Sequence, residues 1–485
     1  MLRAFGIALF ACLAVSCLAG AQSWSAPKNK PNFEGNAALV LTDGTVMVQD
    51  SGPGNGGGTN HWWRLTPDNK GSYVNGTWSK MPDMASTYGP LYHAGVVLAD
   101  GRVIIQGGEY NFGNQIETNQ GAIYDPVKNK WTSLTAPPAW SEIGDSPALV
   151  LSDGTYLIGQ NLSTRAYLLN PKTLKWTFTG QGKRDIFAEE GFTLLGDGTV
   201  LLVDTENGTQ AEKYLPSTGK WVSANSTIVV LPSNGGLSIV PELGPAVLRP
   251  DNTVFATGAT SHTSVYHPPS KPSQPGKWTP GPDFPNALTE FDGPAALLPS
   301  GNVLCMTSPS AFNPGTVFFE WDGKKLNKVI DIPKATSLAS FQSDMVVLPT
   351  GQVLVTTQTP QMEFYTPKGT PNPAWAPTIS SVPTTITHGK SYLISGTQFN
   401  GLSQAAAYGD DHQASTNYPL VRITNNASKH VFYARTHDHS SMGVATKKLK
   451  VSTHFDVPSK IETGASSLVV VANGIASKAV AVTVQ

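Results

Sequence analysis

Acidic, phenolic and imidazole side chains recur in this sequence at one register. Glu34, Tyr92-His93, Asp145, Glu189-Glu190, Glu242, Asp292 and Gln342, with Asp344 two positions on, each stand eight to ten residues ahead of a turn dipeptide. Carboxylates, amides and a phenol together can hydrogen-bond a polyhydroxylated ligand, and carboxylates with imidazole can hold a divalent cation. A second group is Arg435-Thr436-His437-Asp438-His439. A His-x-His pair at the end of a strand puts two imidazoles on one face, so His437 and His439 join His93 and Tyr92 as metal candidates. Taken singly, each residue has a plainer reading, as a solvated carboxylate, a cap on free backbone amides or a surface histidine. The shared register is what gives the set weight. His412, after Tyr408-Gly409-Asp410-Asp411, reads as a loop residue remote from it.

The elements that position these residues follow from the turns. Asp43-Gly44, Asp100-Gly101, Asp153-Gly154, Asp197-Gly198, Asp251-Asn252, Ser300-Gly301 and Thr350-Gly351 each separate two apolar runs, and they recur every 44 to 57 residues. Asp-Gly between apolar strands is a strong hairpin signal, which predicts two-residue turns here. A repeat of this length built from strands cannot bury its faces alone, and radial stacking into a propeller solves the problem. Seven units predict seven blades. The innermost strand of every blade begins at the same end of the channel, so the recurrent polar residues should ring one mouth. Most units close on a Lys-Trp phrase, as at Trp131, Trp176, Trp221 and Trp278, which fits packing between blades. The seventh ends early at Phe364-Tyr365-Thr366-Pro367, so residues 22–32 are expected to supply its outer strand.

Composition narrows the classes of function. The chain has 485 residues, 47 Gly, 37 Pro, 14% charged residues and a formal net charge of −1. That balance excludes an electrostatic case for nucleic acid or anionic membrane. Met1-Leu2-Arg3, an apolar stretch and Ala19-Gly20-Ala21 read as a signal peptide over residues 1–21, so a secreted or periplasmic protein is expected. A lipid anchor at Cys17 is the rival reading. No later run reaches transmembrane length. Cleavage would leave Cys305 as the sole cysteine, in an apolar strand where a buried thiol is expected.

Residues 22–372 form the expected propeller. Pro371-Asn372-Pro373-Ala374-Trp375-Ala376-Pro377 then reads as a stiff linker into about seven short alternating strands, an immunoglobulin-like sandwich within residues 373–485. The units, with an aromatic residue before a turn and a later Trp, resemble kelch repeats. Their order, with the phrases Pro377-Thr378-Ile379, Gly396-Thr397-Gln398-Phe399 and Thr436-His437, resembles the galactose oxidase and glyoxal oxidase family, whose sandwich is an early-set domain. The fold class expected is therefore all-β, a seven-bladed kelch-type β-propeller followed by an early-set β-sandwich.

That resemblance implies a copper radical site of two Tyr, two His and a Cys cross-linked to one Tyr. Tyr92, leading into Asp100-Gly101-Arg102, matches the cross-linked Tyr, and Thr436-His437 matches a histidine that plugs the propeller axis. The paired Tyr-His ligands are Phe341-Gln342 here, and Asn32-Phe33-Glu34-Gly35 offers no Cys. Phe has no phenol and an amide is a poor substitute for imidazole. The sequence therefore argues against an active copper radical oxidase and leaves the cofactor unknown, with a divalent cation as one candidate and copper disfavoured by Phe341 and Gln342. The expected function is binding of a carbohydrate, polyol or cell-surface polymer at the axial mouth, with Trp62, Trp63 and Tyr88 as flat faces for sugar rings. A copper-dependent alcohol or aldehyde oxidase and a structural or adhesive surface protein are the competing readings. If the resemblance holds, His437 should face Tyr92 or His93 across the mouth.

Overall fold

A computed structural model describes residues 22–54, 57–408, 412 and 414–485; the proposed leader lies outside them. The protein is all-β, with seven antiparallel blades followed by a curled sandwich. Blade 1 comprises Gly35–Val40, Val46–Asp50, Trp62–Thr66 and Thr77–Lys80, and blades 2 to 6 repeat the plan from Ala94 to Lys328. Blade 7 contributes Asp344–Val347, Val353–Thr356 and Glu363–Thr366, and the N-terminal strand Ser23–Ser25 completes it.

The hairpins close differently from the two-residue turns expected. Leu41 N–H donates to Thr45 O at 2.7 Å and Gly44 N–H to Leu41 O at 2.9 Å, leaving Thr42, Asp43 and Gly44 in the loop. This is a type I turn closed by a left-handed residue, Gly44 at φ 76°. The Asp43 carboxylate accepts from Thr45 N–H at 3.0 Å, and Asp100, Asp153, Asp197 and Asp251 repeat the bond to the residue two positions on. The aspartate therefore holds the turn as an acceptor, while Gly or Asn252 supplies the positive φ.

The Trp residues hold blades together. In blade 2 Trp131 pairs across the strands with Tyr124, rings 5.1 Å apart, and its indole N–H donates to Pro82 O of the preceding blade at 3.0 Å. Trp176 reaches Thr135 O and Trp278 reaches Ala224 O in the same way. In blade 7 the closing strand supplies the missing Trp. Trp24 sits opposite Tyr365, packs against Phe318 at 4.9 Å and donates to Ile330 O at 2.6 Å.

The sandwich runs from Thr378 to Val484, and its core alternates along strands, as in Val421/Ile423, Leu468/Val470 and Val482/Val484. It packs on the face that carries the hairpin turns. Thr436 N–H bonds Thr42 O, His439 N–H bonds Ala99 O and Met442 N–H bonds Ser152 O, each at 3.0 Å. One sandwich segment, described at residues 402–408, 412 and 414–418, leaves that face and enters the propeller axis. Leu194 N–H donates to the Gln404 side chain, Leu297 N–H donates to Ala405 O, and Ala406–Ala407 add a strand to blade 6 at Ala295 and Ala296. On the far side His412 bridges Gly95, and the Tyr418 hydroxyl donates to Val40 O.

Candidate functional site

The inner strands run from the mouth to the turn face, so the residue eight or nine positions before each turn opens on the end opposite the sandwich. Three of these residues share an unusual backbone: Tyr92 at φ 51°, Glu189 at φ 57° and Asp292 at φ 47° are left-handed without being glycine. Between them lies a cavity of about 790 Å³. That volume falls within the range of roughly 300–1,000 Å³ typical of small-ligand sites.

Of the residues singled out in the sequence, Tyr92, Asp145, Glu189, Glu242, Asp292 and Gln342 line this cavity. Glu109 and Glu117 line it as well, giving six carboxylates and no Lys, Arg or His among the described lining residues. Glu109, Tyr110 and Glu117 escaped the sequence reading because they lie in an insertion after the second strand of blade 2, outside the repeating register. That insertion supplies Tyr110–Asn111 and Asn114–Gln115, which pair with Pro90–Leu91 from before the inner strand to make a small sheet at the mouth. Asn161 ties the acids there together, donating to Asp145 at 2.6 Å and Glu117 at 3.2 Å. Burial, followed by Glu109, Asp145 and Glu117, raises the Tyr110 phenol above its ordinary value.

Aromatic faces flank the acids. Tyr92 and Tyr110 meet edge to face at 6.2 Å on one side, and Phe312 meets Phe341 at 5.0 Å on the other. The Tyr408 hydroxyl donates to Phe341 O at 2.7 Å, which fixes the axial segment beneath them. Gln342 lines the wall, but its side-chain oxygen accepts from Ala339 N–H at 3.2 Å and so caps a short turn.

Several expected residues lie elsewhere. Glu34 accepts from Gly54 N–H at 3.2 Å and holds a loop of blade 1. Glu190 points away from the cavity into a buried network. The Lys183 ammonium lies 3.2 Å from Glu190 and 3.0 Å from Glu212, and over the Phe187 ring. Burial opposes that ammonium, but Glu190, Glu212 and Asp204 outweigh it and hold its pKa above the ordinary value. Glu190 is therefore part of the internal charge balance of blade 4. Trp62 and Tyr88 are buried in the core, and Trp63 stacks on Phe33 at 4.9 Å, so none of the three lines the cavity.

The histidines depart furthest from expectation. His437 ends a sandwich strand beside the contacts of Thr436 to Thr42 and His439 to Ala99, which places it at the turn face. The seven residue steps from Tyr92 to Ala99, through the inner strand Ala94–Val97, span about 20 Å, so His437 and Tyr92 do not share a site. His439 is buried, stacks on Tyr418 and bonds Thr453 Oγ1 at 2.8 Å. Burial, followed by His437, pushes its pKa down to about 3. The sandwich does bring an imidazole to the axis, but it is His412. Its ring lies 6.0 Å from that of His93, in the layer below the cavity. His93 bonds Gln49 Oε1 at 2.9 Å, and burial, followed by His412, lowers its pKa to about 3, so it is neutral.

This donor set does not fit a copper radical site. Phe341 presents a carbon ring, Gln342 is committed to its cap, His93 is bonded through Nε2 to an amide, and His412 Nε2 lies 3.2 Å from Ala38 O. Cys305, the one cysteine among the described residues, is buried in blade 6, where burial and then Glu290 push its thiol far up.

Comparison with known proteins agrees on architecture. No family model matches the chain. A copper-bound fungal alcohol oxidase of the AA5 family superposes with a TM-score of 0.54 over 96% of this chain and 100% of that one, at 14% identity. A kelch-like protein, terF, of Aspergillus terreus is 29% identical over 123 residues, 22% of this chain. The chain spans 26% of that curated relative's length. A streptogramin B lyase superposes over 71% of this chain and 97% of that one, at a TM-score of 0.46 and 10% identity. The fold is that of a galactose oxidase-like kelch propeller.

Proposed function

We propose that this protein is an exported binding protein that receives a carbohydrate, polyol or surface polymer in the axial cavity and performs no copper radical chemistry. The supporting observation is the cavity's lining, in which carboxylates and aromatic faces alternate around about 790 Å³. Carboxylates accept hydrogen bonds from vicinal hydroxyls, and Tyr92, Tyr110, Phe312 and Phe341 offer apolar faces to the C–H side of a pyranose ring. Six carboxylates without a basic residue among the described residues of the wall also set the ligand's charge. Neutral and amine-bearing saccharides are favoured and uronate or sulfated polymers are repelled.

The test is binding of the purified protein to neutral, amino and acidic oligosaccharides, with Glu242→Gln and Asp292→Asn as variants. Binding that excludes the acidic set and weakens about tenfold or more in the variants supports the reading. Preference for acidic polymers, or binding indifferent to both substitutions, contradicts it.

A further inference from the structure

Away from the cavity, at the junction of sandwich and propeller, two strands place His437 and His454 directly opposite one another. Their rings lie 5.5 Å apart and nearly parallel. Asp438 follows in the left-handed conformation, φ 52°, with its carboxylate 2.8 Å from His437 Nδ1. Ligand-capable atoms of His437, Asp438 and His454 all lie within 4.8 Å of one another. Two further observations bear on what they hold. His454 Nδ1 is shielded from solvent and has no hydrogen-bond partner. The other nitrogen of His437, Nε2, lies 3.1 Å from Asp456, which Arg435 clamps at 2.6 Å.

We propose that His437, His454 and Asp438 form a zinc-type metal site at the edge of the sandwich, beside the segment that packs on the propeller's turn face. Imidazole nitrogens with one carboxylate oxygen suit a borderline cation such as Zn²⁺. Bonds of about 2.0–2.2 Å set ligand atoms about 3.3 Å apart around a tetrahedral ion, so modest side-chain rotation closes the site. His437 would ligate through Nδ1 and keep Nε2 on Asp456. A carboxylate bonded to the ring's other nitrogen fixes the ring's orientation and raises its basicity. Asp438 and His454 are exposed or half-exposed, which gives an ion and a completing water access from solvent. Two positions beyond His437, the chain bonds the hairpin ends of blades 2 and 3 through His439 and Met442. A bound ion would therefore tie the sandwich edge to the segment that crosses the turn face.

Zinc titration of the mature protein, read by calorimetry and by melting temperature, tests the site. The expected result is one zinc per chain, a rise in melting temperature, and affinity at least about tenfold weaker in both His454→Gln and Asp438→Asn. Wild-type affinity retained in either variant overturns the proposal, because it places zinc elsewhere, for instance at the surface His430–Glu462 pair. No zinc binding in the wild type overturns it equally. Because the axial cavity contains none of these residues, saccharide binding should be unchanged by His454→Gln.

Discussion

Glu290 gives a sharp test of how the blades are joined. Its side chain is fully buried between blades 5 and 6, its N–H donates to Gly258 O at 3.0 Å, and its Oε1 accepts from Met306 N–H at 2.8 Å. Burial, only partly offset by the Thr257 hydroxyl, Met306 N–H and the Cys305 thiol beside it, pushes the carboxyl from the ordinary 4.5 up to about 8. The folded state therefore holds a proton that the unfolded chain releases between those values. The associated stability is fully present below about pH 4.5 and is lost as pH rises through about 8. At about 1.4 kcal/mol per pH unit the interval corresponds to about 5 kcal/mol, an upper bound because the site relaxes around the charge. Glu290→Gln preserves the acceptor for Met306 and cannot ionise. Melting temperatures of both proteins from pH 5 to pH 8.5 isolate the effect, since other titrating groups cancel in the difference. The variant should match the wild type within about 1 kcal/mol near pH 5 and exceed it by several kcal/mol at pH 8.5. A difference that stays constant with pH would refute the assignment of a buried, protonated Glu290.

Other outcomes follow from the same structure. Trp24→Ala should lower stability by about 2–3 kcal/mol, since a half-buried indole, two ring contacts and one hydrogen bond are lost from the ring closure; an unchanged melt would show that the N-terminal strand does not close blade 7. Copper-loaded protein should release no hydrogen peroxide from primary alcohols, galactose or aldehydes, and peptide mass spectrometry should find no thioether at Tyr92, because Phe341 and Gln342 replace copper ligands and the buried Cys305 lies in blade 6. Intact mass of the exported protein should correspond to a chain beginning at Gln22; retention of residues 1–21 or a lipid on Cys17 would refute the leader.

The architecture was legible because turn chemistry repeats. Each Asp-Gly marks a hairpin, each later Trp marks an outer strand, and the truncated phrase at Tyr365 points to an outer strand from elsewhere, which Ser23–Ser25 provides. The mouth was legible for residues that open inner strands, since a shared distance from the turn fixes a shared end of the channel. It failed where the chain leaves the repeat. Glu109, Tyr110 and Glu117 sit in an insertion whose length follows no period, and Phe312 sits in another. It also failed where one register position has two faces, so that Glu189 lines the cavity while adjacent Glu190 meets Lys183 inside the blade. The axial histidine was misplaced for a related reason. His437 lies in a phrase resembling the family's, whereas His412 reaches the axis with the segment whose Ala406–Ala407 pairs with blade 6, a path that local sequence does not encode.

The most direct test of the axial site is a crystal structure of the mature protein soaked with a neutral or amino-sugar oligosaccharide. The proposed function predicts density for a pyranose ring in the cavity, stacked on the Tyr92/Tyr110 or Phe312/Phe341 faces, with hydroxyl or ammonium groups on Asp145, Glu242 or Asp292. A saccharide bound only at the outer edges of the blades, with the cavity occupied by solvent alone at saturating ligand, would contradict it.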